Sequence, residues 1–139
     1  MESLSAITDT GFVVALTNRN DKHHQASIPV YKQQSKILLP QTVLTEVAYL
    51  LTRDAGIAIV VQFLQSLKLS KCELLGLNEV ALSRTAAILH QYQDSRIDFV
   101  DASVIALAEN HNLSTVLTLD RRDFSLYRPQ HCNSFTLLP

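Results

Sequence analysis

Glycine is scarce in this 139-residue chain, three in all, and the scarcity removes whole classes of site. No G-x-G-x-x-G follows the first apolar segment, which argues against a dinucleotide fold, and no G-x-x-x-x-G-K-[ST] exists, which excludes a P-loop. A hydrolase serine on a G-x-S-x-G elbow is missing too. The two cysteines, Cys72 and Cys132, make neither a disulfide framework nor a zinc ligand set. No apolar run approaches the ~20 residues of a membrane span, and the first residues lack a signal-peptide pattern. The expected setting is a reducing cytoplasm, with no membrane role. A net charge of −1 offers no global basic field for nucleic acid, so any such binding must rest on a local cluster or on a metal. Repeats, low-complexity segments and linkers are absent as well.

What is there suits a compact core. Hydrophobic residues make up 47% and charged ones 18% of the chain, and the length fits one domain over residues 1–139. Leu4-Ser5-Ala6-Ile7-Thr8 reads as a strand that ends at Asp9-Thr10-Gly11. An apolar helix over residues 12–16 follows, then a turn at 18–21 and a helix over 22–34 with Asp21 as its N-cap. His23-His24 is read as two exposed residues of a first turn rather than a metal site, since adjacent helical positions point about 100° apart. Lys36-Ile37-Leu38-Leu39-Pro40 is a second strand stopped by proline. A helix over 42–52, with Thr42 as N-cap, carries Glu46 on its second turn.

Gly56 separates that helix from another over 57–67, which is apolar nearly all round. Residues 72–77 read as a third strand, Asn78 as the cap of a helix over 79–92, and 94–96 as a polar turn. The segment 97–124 then organises the rest. It opens with Asp98 and Asp101, runs apolar at helical spacing through Val104, Ile105, Leu107 and Ala108, and breaks at His111-Asn112. A β-like run, Ser114-Thr115-Val116-Leu117-Thr118-Leu119, leads straight to Asp120 and Asp123. A short helix and a last strand over 134–138 close the chain. This alternation, without clean hairpin turns, predicts a parallel, layered α/β sheet. Acids that begin helices and end strands then gather at the carboxyl edge of the sheet, where open parallel sheets bind ligands. Carboxylates are the usual ligands of hard cations such as Mg²⁺ or Mn²⁺, so a metal-dependent site is expected.

In their order and spacing these residues resemble the PIN-domain nucleases, and among them the VapC-type toxins of bacterial toxin–antitoxin pairs. The pieces that carry the resemblance are Ile7-Thr8-Asp9-Thr10, Thr45-Glu46-Val47, Val100-Asp101-Ala102-Ser103 and Leu117-Thr118-Leu119-Asp120-Arg121-Arg122-Asp123-Phe124, and together they span nearly the whole chain. The resemblance implies a three-layer fold with a central parallel sheet flanked by helices, an acidic pocket for Mg²⁺ or Mn²⁺, and endoribonuclease activity. It also implies Asp9, Glu46 and Asp101 as site acids, with Asp9 and Asp101 the direct metal ligands. Asp120, at the strand end, is the choice for the fourth acid; Asp123 lies one helical turn further on and is the alternative. Asp98 is either a further acid or simply the N-cap of its helix. Thr10 and Thr118 are hydroxyls able to hydrogen-bond water in the site.

Four crowded carboxylates repel and hold their pKa values up unless a divalent cation neutralises them. Such an ion stabilises charge developing on a phosphate, an acid left free can orient the attacking water, and Arg121 and Arg122 are placed to attract RNA. Two other readings compete. An acidic-site phosphatase would favour two adjacent acids after the first strand or a late lysine, yet Asp9 stands alone and no lysine follows Lys71. A non-catalytic PIN-fold binding module would not need the full set of acids. The apolar residues Ile57, Ile59, Val60, Val61, Phe63, Leu64 and Leu67 spread round most of their helix, which predicts that the helical pair over 41–67 is buried in a protein–protein interface, unless the helix at 79–92 covers that face within one monomer; the resemblance implies a homodimer. The resemblance adds a cognate antitoxin as a possible partner.

Overall fold

The computed structural model describes residues 4–139. Its elements are β1 (Ser5–Thr8), α1 (Thr10–Thr17), α2 (His24–Gln33), β2 (Lys36–Pro40), α3 (Gln41–Ala55), α4 (Ile57–Ser66), a 3-10 turn (Leu67–Leu69), β3 (Cys72–Leu75), α5 (Glu79–Gln91), α6 (Phe99–Asn110), β4 (Thr115–Leu117), α7 (Arg121–Phe124) and β5 (Thr136–Leu138). The five strands form one sheet in the order β3-β2-β1-β4-β5. Every pairing is parallel, with Ile7 opposite both Leu38 and Val116.

The period-2 alternation of strands divides the core into the two faces of a three-layer fold. Ala6, Ile37 and Leu117 pack with Phe12 of α1 and Val30 of α2. Ile7, Leu38 and Val116 pack with Val43, Val47 and Leu51 of α3, Ile88 of α5 and the body of α6. In α6 every residue from Ala102 to Ala108 is buried. Small side chains let this helix sit against the sheet, α3 and α5 at once, so it is enclosed rather than one-faced. Thr42 Oγ1 and Ser103 Oγ, 2.7 Å apart, pin α3 to α6.

Several local expectations shift by a residue or two. Strand β1 begins at Ser5, and β3 ends at Leu75. Helix α3 starts at Gln41 with Pro40 as cap, because the proline fixes the extended turn and Thr42 is drawn off to Ser103. Helix α2 starts at His24, and Asp21 instead accepts the His23 N–H at 2.8 Å in the preceding turn. His24 Nδ1 lies 2.8 Å from the Ala15 carbonyl, in keeping with a structural histidine. Gly56 has φ +94°, a left-handed conformation open to glycine, and this makes the break between α3 and α4.

Helix α4 turns Val60 and Phe63 inward and leaves Ile57, Val61 and Leu64 exposed at 66%, 47% and 45%. Ile59 and Leu67 are partly buried against the core. Helix α5 packs mainly on α6 and leaves that stripe open to solvent. Among the described residues no helix is long and apolar enough to cross a membrane.

Candidate functional site

The strand order reverses direction at β1. The chain moves outward from β1 to β2 and β3, then returns to place β4 on the other side of β1. Beyond the carboxyl ends of β1 and β4 lies the crevice that such a switch creates. Asp9 follows β1 directly and Asp120 lies just past β4.

Asp9 is the hub of this edge. It is buried, with 7% of its surface exposed. One oxygen accepts the Phe12 N–H at 3.3 Å and so caps α1; the other accepts the Thr118 hydroxyl. Thr118, fully buried, also accepts the Asp120 N–H at 2.9 Å and thereby couples the ends of β1 and β4. Burial pushes the Asp9 carboxyl up to about 6; the two hydrogen bonds oppose this, and the charges of Asp120 and Glu46 add to it. From α3, Glu46 reaches the same edge and accepts the Thr10 hydroxyl at 2.6 Å.

Asp101 sits in the first turn of α6, and its N–H is capped by Asp98 at 2.8 Å. Burial first, then the Asp98 charge and, more weakly, that of Asp9 push its carboxyl up to about 7. Asp120 caps α7 by accepting the Asp123 N–H at 3.2 Å. Burial raises its carboxyl; the Asp123 N–H lowers it, the Asp123 charge raises it, and the Arg96 charge lowers it. The fold thus gathers Glu46, Asp101 and Asp120 within reach of the charge of Asp9. Asp98 and Asp123 stand one helical turn from Asp101 and Asp120.

The arginines part ways. Arg121 Nη1 donates to the Leu137 carbonyl at 3.2 Å and to that of Pro139, so it clamps the end of β5. Arg122 is exposed. Arg96, in the turn before α6, was not singled out in the sequence, yet its charge reaches Asp120. Only its place two residues before Asp98 hinted at this. Tyr127 was missed as well. The charges of Asp101, Asp123, Asp120 and Asp98 all act on its phenol, and nothing in the local pattern after α7 signals that.

Among the described residues no three His, Cys, Asp or Glu side chains form a ready-made coordination sphere. The donor chemistry nevertheless fits a hard divalent cation. The donors are carboxylates that raise one another's pKa, and the ion pairs of the described residues, Lys36–Glu73, Arg53–Asp54 and Arg84–Glu109, include none of them. Such a cluster takes up either protons or an external cation near neutral pH.

Residues 6–128 match the PIN domain. The chain belongs to the PIN-domain family. That match runs from β1 past α7 and takes in every acid described above. Over 134 residues this PIN domain is 31% identical to Ribonuclease VapC26 of Mycobacterium tuberculosis, covering 96% of the chain and 99% of that protein. The crystal structure of M. tuberculosis VapC20, a sarcin–ricin loop cleaving toxin, superposes with a TM-score of 0.73 at 21% identity, covering 80% of this chain and 86% of that one. VapBC-5 of M. tuberculosis, a member of the VapBC family of toxin–antitoxin systems, gives a TM-score of 0.61 at 16% identity, covering 96% and 97%. At those identities the two structures speak for the PIN fold alone.

Proposed function

We propose that this protein is a metal-dependent endoribonuclease, active as one PIN nuclease domain over residues 1–139, and the toxin of a toxin–antitoxin pair in the cytoplasm. The observation that carries the reading is the gathering of Asp9, Glu46, Asp101 and Asp120 about one sheet edge, with two of them lifted to about 6 and about 7. The likeness to Ribonuclease VapC26 supports RNA as the substrate.

Asp9 and Asp101 are the residues that would hold Mg²⁺ or Mn²⁺. When bound, such an ion supplies positive charge that keeps the acids ionised and offsets charge developing on a phosphate. Thr10 holds one oxygen of Glu46 and the other accepts no hydrogen bond among the described residues, which suits it to orient a water and accept its proton. Thr118 fixes Asp9 and Asp120 relative to each other. Arg122 and Arg96 are the cations placed to draw a polyanion toward this edge. Asp98 and Asp123 support Asp101 and Asp120 from the adjoining turns. The outward stripe Ile57, Val61 and Leu64 supports a homodimer. An antitoxin partner is proposed by analogy of fold with VapBC-5, a member of the VapBC family of toxin–antitoxin systems.

The test is direct. Purified protein should cut RNA with Mg²⁺ or Mn²⁺ and stop in EDTA, and Asp101→Asn should lose activity by orders of magnitude while keeping its fold. Full-rate cleavage in EDTA, or by Asp101→Asn, would defeat the reading.

A further inference from the structure

Four of the five phenylalanines are buried, Phe12 and Phe124 at 1% exposure, Phe63 and Phe135 at 8%. Phe99 is the exception. It is 45% exposed and packs on neither of the two core clusters. Anchoring the start of α6 does not need it, since Ile97 and Val100 on either side already pack against the core. A ring left in water forgoes the burial that makes aromatic side chains dominate cores and interfaces.

The helix fixes where this ring stands. Residues four apart on a helix share a stripe, and one turn on from Phe99 is Ser103, whose Oγ lies 2.7 Å from Thr42 Oγ1 of α3. Thr42 in turn shares a stripe of α3 with Glu46, which accepts the Thr10 hydroxyl at 2.6 Å. Phe99, Ser103, Thr42 and Glu46 thus form one line from the ring to a site acid, with Phe99 at its outer end. Nothing of α3 covers it there, because α3 starts at Gln41, one residue before Thr42. Cα–Cβ bonds tilt toward a helix N-terminus, so the ring projects beyond the carboxyl edge of the sheet. Its backbone lies about 3 Å further out along the axis than that of Asp101, two residues on. Asp101 leaves the helix on nearly the opposite side, so ring and carboxylate flank the start of α6, ~10 Å apart. Arg96 is exposed on the turn just before, where Ser95 Oγ accepts the Ile97 N–H at 3.2 Å and donates to the Tyr92 carbonyl at 2.7 Å. None of the ion pairs of the described residues uses it.

We propose that Phe99 is the platform on which an unpaired base of the RNA stacks, the base beside the phosphodiester that the acids cut, with Arg96 holding a neighbouring phosphate. This deepens the nuclease reading above and rests on it. Carboxylates and an ion act on the phosphate and cannot grip a base. Every base has a π-face, and an aromatic ring beside a cation holds single-stranded nucleic acid by that face and its backbone charge. A base inside a duplex has both faces taken, so the RNA that fits has an unpaired base at the cut.

Cleavage and binding by the full chain test this separately. In RNA cleavage, Phe99→Ala should raise KM about five- to 150-fold, the range for truncating a stacking ring, with kcat and the melting temperature close to wild type. Phe99→Tyr should restore KM, and Phe99→Leu, apolar but without a π-face, should not. Binding is measured in Asp101→Asn with Mg²⁺, so that the RNA stays whole. The readout is fluorescence anisotropy on a labelled single-stranded RNA oligonucleotide of mixed sequence, in a series where one base at a time is replaced by an abasic sugar. One abasic position should cost Asp101→Asn as much affinity as adding Phe99→Ala does, and should cost the double variant nothing more, because both changes remove the same contact. An unchanged KM in Phe99→Ala, full rescue by leucine, a loss only in step with a lower melting temperature, or abasic effects undiminished in the double variant would each overturn the proposal. If the wild type cuts no RNA, the nuclease reading fails, and the abasic series alone decides whether Phe99 holds a base.

Discussion

Replacing Asp9 by asparagine should stabilise the ion-free protein at neutral pH, although it destroys the proposed site. Asp9 has a carboxyl pushed from an ordinary 3.8 up to about 6 by burial. A carboxyl whose pKa is raised on folding binds protons more tightly folded than unfolded, so stability falls as pH rises through the interval between the two values. For Asp9 that interval runs from about 4 to about 6, and well above it the ionised carboxylate costs the fold about 3 kcal/mol. Asparagine removes the charge, caps α1 as well as aspartate does, and still offers an oxygen to the Phe12 N–H. It loses the acceptor for the Thr118 hydroxyl, a cost of about 1 kcal/mol. The net gain at pH 7.5 is about 2 kcal/mol, or roughly 5–8 °C in melting temperature for a chain of this size. At pH 4.5, where Asp9 is already protonated in the fold, the variant should melt with or slightly below the wild type. Thermal melts followed by circular dichroism in EDTA, from pH 4.5 to 8, give both curves. Adding Mg²⁺ at pH 7.5 should then raise the wild type and not the variant, since an ion that binds the folded state alone stabilises it by mass action. Parallel curves across that pH range, or a variant that melts lower at pH 7.5, would refute the reasoning.

Other substitutions separate the supports of the site from its surface. Thr118→Val keeps the shape of a fully buried side chain but strips the partners from Asp9 and Asp120 N–H, so urea denaturation should show a loss of about 2–3 kcal/mol; unchanged stability would mean the link between the strand ends is not formed. Arg121→Ala should lower the melting temperature by freeing the end of β5 and leave RNA affinity nearly intact. Arg122→Ala should do the reverse, weakening RNA binding in a filter assay with a smaller salt dependence; a reversal of these two outcomes would exchange their roles. Val61→Glu places a charge on the outward stripe of α4, and light scattering should show a wild-type dimer and a variant monomer of similar stability; a wild-type monomer would remove the proposed interface.

Much of this architecture was legible in the chain because its signals are local. Each strand is an apolar run cut off by a turn residue or an acid, and Lys36–Pro40 appears with both ends as expected. Asn78 caps α5 through the Ala81 N–H at 2.8 Å, as its position before a periodic segment suggests. The placing of Asp9, Glu46, Asp101 and Asp120 at one edge also follows from element order, since a parallel sheet sends every strand end the same way. What escaped depends on contacts between distant parts of the sequence. Arg121 reads as a free cation beside Asp120, yet it is tied to carbonyls at the far end of the chain. Thr42 reads as a cap until Ser103 takes its hydroxyl. The apolar surface of α4 splits into an inward pair and an outward stripe only once α5 is seen to pack on α6.

Capping and catalysis looked like rival uses for an acid at a helix start, and the geometry shows why they are compatible. Asp98 caps α6, but Asp9 caps α1 and Asp120 caps α7 in the same manner. A carboxylate has two oxygens, and a cap needs one. In Asp9 the second oxygen is held by Thr118, so the group is fixed at both ends before any ligand arrives. A helix N-terminus favours negative charge nearby, yet the carboxyls of Asp9 and Asp101 stand at about 6 and about 7. Burial and mutual repulsion therefore outweigh both the helix dipoles and the hydrogen bonds. Helix starts aim several carboxylates at one place, and burial makes that place unfavourable for their charge until a cation joins them. The same caps that begin three helices thus leave the edge poised for an external positive charge, and the cap at Asp98 belongs to that arrangement because it sets the N–H, and so the position, of Asp101.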